Sequence, residues 1–168
     1  MKTQLQAALP LHLYGVGVAK TFDKLWHEIE SGETTITWED NRPIRIIKVA
    51  RVEVLHGDQY LVETNQVFDD GRSRVRGIRG LSEKFMMGES PISAAKRAVS
   101  EELGLGSNLL KFKSVGQSVE RKVSPSYPGL VTQYEFFDYA VRLDGTGMYV
   151  ATGYIADEGD STTYFGWV

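Results

Sequence analysis

Two adjacent carboxylates, Glu101 and Glu102, stand one helical turn beyond Arg97, with Glu89 further upstream. Offsets of three and four residues bring helical side chains onto one face, so both glutamates converge with Ala98. Neighbouring carboxylates repel unless solvent, a guanidinium or a cation offsets their charge. A hard divalent ion with oxygen ligands does this well, and magnesium is the natural candidate. The local chemistry therefore reads as a divalent-metal site. Taken alone, two glutamates fit an ordinary solvated helix face far better than a metal site.

The element that must hold them is well punctuated. Ser90 is an N-cap residue, Pro91 occupies the first helical position, and Gly104 stands just past the end. Ile92, Ala95, Val99 and Leu103 recur at helical spacing and form the anchoring stripe. The carboxylates are thus expected on a rigid helix rather than on a loop.

Elsewhere the hydrophobic period alternates between helix and strand. Phe22, Leu25, Trp26 and Ile29 predict an amphipathic helix near 21–31, stopped by Gly32. Residues 44–55 and 60–62 read as two strands about the turn His56-Gly57-Asp58. A second turn, Asp69-Asp70-Gly71, leads into a strand over 72–78, and further strands are expected at 109–115, 130–143 and the tail ending Tyr164-Phe165-Gly166-Trp167. No repeat or linker divides the 168 residues, so the expectation is one domain over 1–168, with an N-terminal extension of about 1–42. Helices interleaved with a mixed sheet give the α/β (α+β) class.

Composition narrows the function classes. The absence of cysteine removes disulfides, thiolate metal sites and a cysteine nucleophile. Gln4, Gln6, Pro10 and His12 interrupt any apolar run near the start, so neither a signal peptide nor a membrane span is expected and a cytoplasmic location is the default. A net charge of -3 with interspersed signs argues against bulk nucleic-acid or membrane affinity. His12, His27 and His56 are scattered and suggest no histidine metal site.

The segment 83–105 resembles the Nudix box, G-x5-E-x7-R-E-U-x-E-E-x-G-U, where U is aliphatic. Glu89, Arg97, Val99, Glu101, Glu102, Gly104 and Leu105 meet seven of its nine specified positions. That resemblance implies a Nudix-type αβα sandwich with a mixed sheet. It further implies Mg²⁺- or Mn²⁺-dependent hydrolysis of a nucleoside diphosphate linked to another group, or of another organic diphosphate. In such chemistry the metal neutralises phosphate charge and acidifies bound water. By position Glu101, Glu102 and Glu89 would ligate metal, and Arg97 would orient the neighbouring carboxylates. Lys84 falls where many family members carry a lysine. A small-molecule diphosphate is the implied partner, and a homodimer is compatible with these features.

Two positions depart from the pattern. Glu83 replaces the opening glycine, and Ala98 replaces a glutamate that in many relatives binds metal or acts as base. A substitute carboxylate would then be needed, and Glu83, Glu89, Glu135, Asp157, Glu158 and Asp160 are available. The alternatives are a catalytically degenerate module that binds a phosphorylated ligand or a protein partner, or a Nudix-fold enzyme of different chemistry, such as an isomerase or lyase. Arg72, Arg74, Arg76 and Arg79 fit either a phosphate-reading strand ladder, with Arg76 and Arg79 touching substrate, or a solvated protective row. The loop Ser124–Gly129 fits a pocket wall with a cis Tyr127-Pro128 bond or a simple turn.

Overall fold

In the computed structural model, which describes residues 1–168, the alternating and helical periods become ten strands and three α-helices. In chain order these are α1 (Lys2–Ala8), α2 (Phe22–Glu30), β1 (Thr35–Glu39), β2 (Arg42–His56), β3 (Gln59–Phe68), β4 (Ser73–Arg74), β5 (Ile78–Arg79) and β6 (Leu81–Lys84). Then follow α3 (Pro91–Leu103), β7 (Lys113–Val123), β8 (Val131–Arg142), β9 (Tyr154–Asp157) and β10 (Ser161–Trp167). Contacts gather the chain into two compact units, one of 1–49, 84–89 and 118–136, the other of 50–83, 90–117 and 137–168.

In the first unit β1 pairs antiparallel with the start of β2, from Thr35 opposite Ile46 to Glu39 opposite Arg42. Its core is Leu5, Leu9, Leu25, Tyr127 and Leu130, flanked by Tyr14, Phe22 and Ile29. Helix α2 is capped by Thr21, whose Oγ1 accepts from the Lys24 amide at 3.3 Å. It buries Glu28 beside Leu25. Glu28 Oε2 lies 2.5 Å from Arg45 Nη2, and Oε1 accepts from Tyr127 Oη at 2.7 Å and Lys20 Nζ at 2.9 Å. Burial raises the Glu28 carboxyl, but the hydrogen bonds from Tyr127 and Lys20 and the charges of Arg45 and Lys20 outweigh it and hold the group below its ordinary range. No peptide bond is cis, and Tyr127 is fully buried, so the Ser124–Gly129 loop packs into this core through its tyrosine.

The second unit carries strands in the order β7-β8-β2-β3-β10-β9. Strand β3 pairs antiparallel with both β2 and β10, and β10 with β9. Arg51 bridges Asp138 at 2.6 Å while the Leu143 amide donates to Leu55 O at 2.8 Å, so β2 and β8 advance in the same direction and the sheet is mixed. The fold is thus α/β with a mixed sheet, as expected.

Helix α3 packs against β9. Ser90 Oγ accepts from the Ser93 amide at 3.2 Å, Pro91 opens the helix, and Gly104 closes it at φ 66°, as the sequence predicts. Its buried face is Ala94, Ala95, Ala98, Val99 and Leu103; Ile92, expected in the stripe, is 36 % exposed. The row of small residues lets the helix axis approach its neighbours closely.

The strand expected over 72–78 is broken. Only Ser73–Arg74 and Ile78–Arg79 pair, both with β3, because Gly71, Gly77 and Gly80 take left-handed φ. At Gly80 a Cβ would meet the carbonyl oxygen of Val52, which reserves the position for glycine just before β6 delivers Glu83.

Candidate active site

In the second unit α3, β3, β6, β9 and the turn after β9 enclose a cavity of about 580 Å³ lined by Glu63, Arg76, Glu83, Glu101, Glu102 and Glu158, among others. With Asp157, six carboxylates therefore face one space with a single lining guanidinium. Glu101 and Glu102 reach it from the last turn of α3, beside Ala98, which is fully buried and brings only a methyl group.

Arg97, one turn earlier, organises the rim. Its Nη1 lies 3.1 Å from Glu83 Oε1 and 3.2 Å from Glu101 Oε2, so one guanidinium ties β6 to α3. The residue that replaces the opening glycine of the box thus supplies a carboxylate to the cavity.

Glu102 sits deeper. Burial first, then the charges of Glu83, Glu158 and Glu63, push its carboxyl up to about 8, against which Arg76 works only weakly. Without a cation it carries a proton at neutral pH. Glu63, on β3, is only 7 % exposed. Its Oε2 lies 3.2 Å from Arg76 Nη1, while its Oε1 is buried with no hydrogen-bond partner. Burial raises this carboxyl too, against the charges of Arg76 and Arg74. Glu158 Oε1 accepts from Thr163 Oγ1 at 2.7 Å, and its Oε2 from Gln66 Nε2 at 3.2 Å and Ser161 Oγ at 3.5 Å.

The other residues singled out from sequence are placed as follows. Arg76 lines the cavity against Glu63. Arg79 bridges Glu53, stacks 3.9 Å from the Tyr60 ring centroid, and lines a separate pocket with Arg51 and Asp138. Arg72 pairs with Asp70, and Arg74 donates to Gln66 Oε1 at 2.8 Å, both guanidinia lying over the Phe68 ring. Glu89 and Lys84 belong to the first unit. There Glu89 Oε2 accepts from the Met86 amide at 2.9 Å, closing a turn beside a pocket lined by Ile29, Lys48 and Met87. Glu63 was missed in the sequence. The signal was there, a carboxylate inside an apolar run, but nothing local tied it to α3.

An all-oxygen donor set suits a hard divalent cation such as Mg²⁺ or Mn²⁺. The orphaned Glu63 Oε1 and the crowded Glu102 carboxyl are what such an ion would relieve. No group of three or more His, Cys, Asp or Glu side chains is placed to hold an ion in this structure.

No protein-family model matches the chain, and no curated protein does. Among solved structures it is similar to the mutator MutT protein from Bacillus halodurans (18 % identity, TM-score 0.40, 57 % of this chain and 56 % of that one). It is also similar to a Deinococcus radiodurans protein (15 %, TM-score 0.46, 73 % and 66 %) and to the C. elegans Ap4A hydrolase (10 %, TM-score 0.41, 73 % and 79 %). The chain spans little more than half of the Bacillus halodurans protein.

Proposed function

We propose that this chain is a Nudix-type hydrolase that uses Mg²⁺ or Mn²⁺ to cleave a nucleoside diphosphate linked to another group, or another organic diphosphate. The observation that carries the reading is the cavity in which Glu101 and Glu102 of the box-like segment meet Glu63, Glu83 and Glu158. Carboxylates of this density repel a diphosphate unless cations intervene, which is how a negatively lined cavity comes to suit a negatively charged substrate.

When bound, a divalent ion supplies charge neutralisation at the phosphate oxygens and a more acidic water. The chain's own residues do the rest. Glu101 and Glu102 would hold the ion. Arg97 fixes the direction of Glu101 and Glu83, and Arg76 offers a guanidinium to a phosphate oxygen at the cavity wall. Glu102, crowded by neighbouring carboxylates in a buried setting, would give up its proton as the cation binds. Hydrolysis breaks one P–O bond of the diphosphate, with hydroxide going to phosphorus and the proton to the departing phosphate oxygen.

Full-length protein with Mg²⁺ or Mn²⁺, incubated with a panel of nucleoside-linked and other organic diphosphates, should release phosphate-bearing products identifiable by mass. Glu102→Gln should cut turnover by about 100-fold or more. No product from any compound, or unchanged turnover in both Glu101→Gln and Glu102→Gln, overturns the proposal.

A second reading is favoured by the fully buried Ala98 and by the absence of a preassembled ligand group. Here the chain is a module that binds a phosphorylated ligand without turnover. Ligand-induced stabilisation with intact ligand recovered afterwards would support it.

A further inference from the structure

The start of β7, the end strand in the order β7-β8-β2, frames a second cavity of about 590 Å³ that shares no lining residue with the acidic one. Alternate strand residues share a face, so Lys113 and Val115 of β7, Ala140 and Arg142 of β8 and Leu55 of β2 line it together. Leu109 and Lys111, from the segment that leads into β7, complete the wall. Two of the apolar side chains stand largely in water, Leu109 being 76 % and Val115 56 % exposed. A single exposed leucine is ordinary, but apolar side chains gathered around a concave space and rimmed by charge mark a ligand site.

The charges at its rim do not balance. Arg142 Nε donates to Asp144 Oδ2 at 3.0 Å and Nη2 to Gly57 O at 2.7 Å, while Asp144 Oδ1 accepts from the Gly57 amide at 2.8 Å. The one acid that lines the cavity is thereby committed to its one guanidinium. Thr146 is also committed, its hydroxyl donating to Leu143 O at 2.7 Å. Lys111 and Lys113 have no carboxylate partner, so two ammonium groups are left beside an aliphatic surface. An anion held there gains charge-assisted hydrogen bonds, and a hydrocarbon chain attached to it removes Leu55, Leu109, Val115 and Ala140 from water. No aromatic side chain lines the space, which leaves a nucleobase nothing to stack on. We infer that this cavity binds an aliphatic chain ending in an anionic group, a carboxylate or a phosphate, with the head on Lys111 and Lys113 and the chain across the leucines, Val115 and Ala140.

Isothermal titration calorimetry of the full chain, with every amphiphile below its micelle-forming concentration, tests the assignment. Decanoate and decyl phosphate carry similar chains with a carboxylate or a phosphate head, and the tighter of the two identifies the head group. Decyltrimethylammonium keeps the chain but reverses the charge, and inorganic phosphate keeps only the anion; each should bind about 10-fold more weakly or worse. Leu109, Lys111 and Lys113 are exposed, so their substitution should leave the fold intact. Lys111→Gln combined with Lys113→Gln, and separately Leu109→Asp, should each weaken the better anion by about 10-fold or more. No binding of either anionic amphiphile, equal binding of decyltrimethylammonium or of inorganic phosphate, or unchanged affinity in either variant overturns the site. The hydrolase reading stands or falls separately, because its residues line the other cavity.

Discussion

The guanidinium of Arg97 lies 3.1 Å from the carboxylate of Glu83, joining α3 to β6 across the rim of the acidic cavity. The same Nη1 reaches Glu101 at 3.2 Å, and the arginine side chain is only 16 % exposed. Truncating it therefore removes the guanidinium that both Glu83 and Glu101 contact. Arg97→Ala should destabilise the metal-free protein by about 1–3 kcal/mol, measured by urea unfolding. Added Mg²⁺ should recover more stability in this variant than in wild type.

Glu102 gives the protein a pH signature. Its carboxyl is pushed to about 8, against an ordinary value of 4.5, so the folded chain binds more protons than the unfolded chain between those limits. Stability of the metal-free protein should fall as pH rises from about 5 to about 8 and then level off. Thermal melts across that range should show the slope in wild type and a much flatter profile in Glu102→Gln. Mg²⁺ at pH 8 should restore stability to wild type alone.

Supplying the missing box glutamate will not be a simple repair. Ala98 is fully buried, on the face where Ala94, Ala95 and Val99 pack, so Ala98→Glu adds volume and a charge to a closed site. A loss on the order of 3 kcal/mol is expected, read from the denaturant midpoint. Unchanged stability would mean that the new side chain escapes into the cavity.

The buried Glu28 cluster predicts a separate acid-labile step. Removing Arg45, which approaches Glu28 Oε2 at 2.5 Å, strands a buried carboxylate, and Arg45→Met should cost about 3–5 kcal/mol at pH 7. Tyr127→Phe, which loses one donor, should cost about 1.5–3 kcal/mol. Because the folded carboxyl is held below its ordinary range, the stabilisation is complete above pH 4.5 and fades as pH falls further. Both variants should flatten the acid limb of the stability profile.

What the sequence made legible was local. Ser90, Pro91 and Gly104 bound α3 through caps that depend on their immediate neighbours, and the helix forms where they put it. Arg97 was expected to orient neighbouring carboxylates, and its guanidinium lies against Glu83 and Glu101. The long-range partners were harder to see. Glu63 and Glu158 lie far from α3 in sequence and meet it only through the strand order of the second unit. The arginine row failed as a ladder because Gly77 and Gly80 turn the backbone, a signal that was present but outweighed by the alternating spacing of the arginines. Helix α1 escaped notice because Met1 offers no side-chain cap and only Leu5 of the helix is buried.

The most direct measurement is a crystal structure of the full chain soaked with Mn²⁺ at pH 7.5, with anomalous difference density locating the ion. A peak at about 2.0–2.2 Å from a Glu102 carboxylate oxygen, inside the cavity shared with Glu63 and Glu158, is the expected result. An empty cavity at saturating Mn²⁺, or an ion bound only elsewhere, would contradict it.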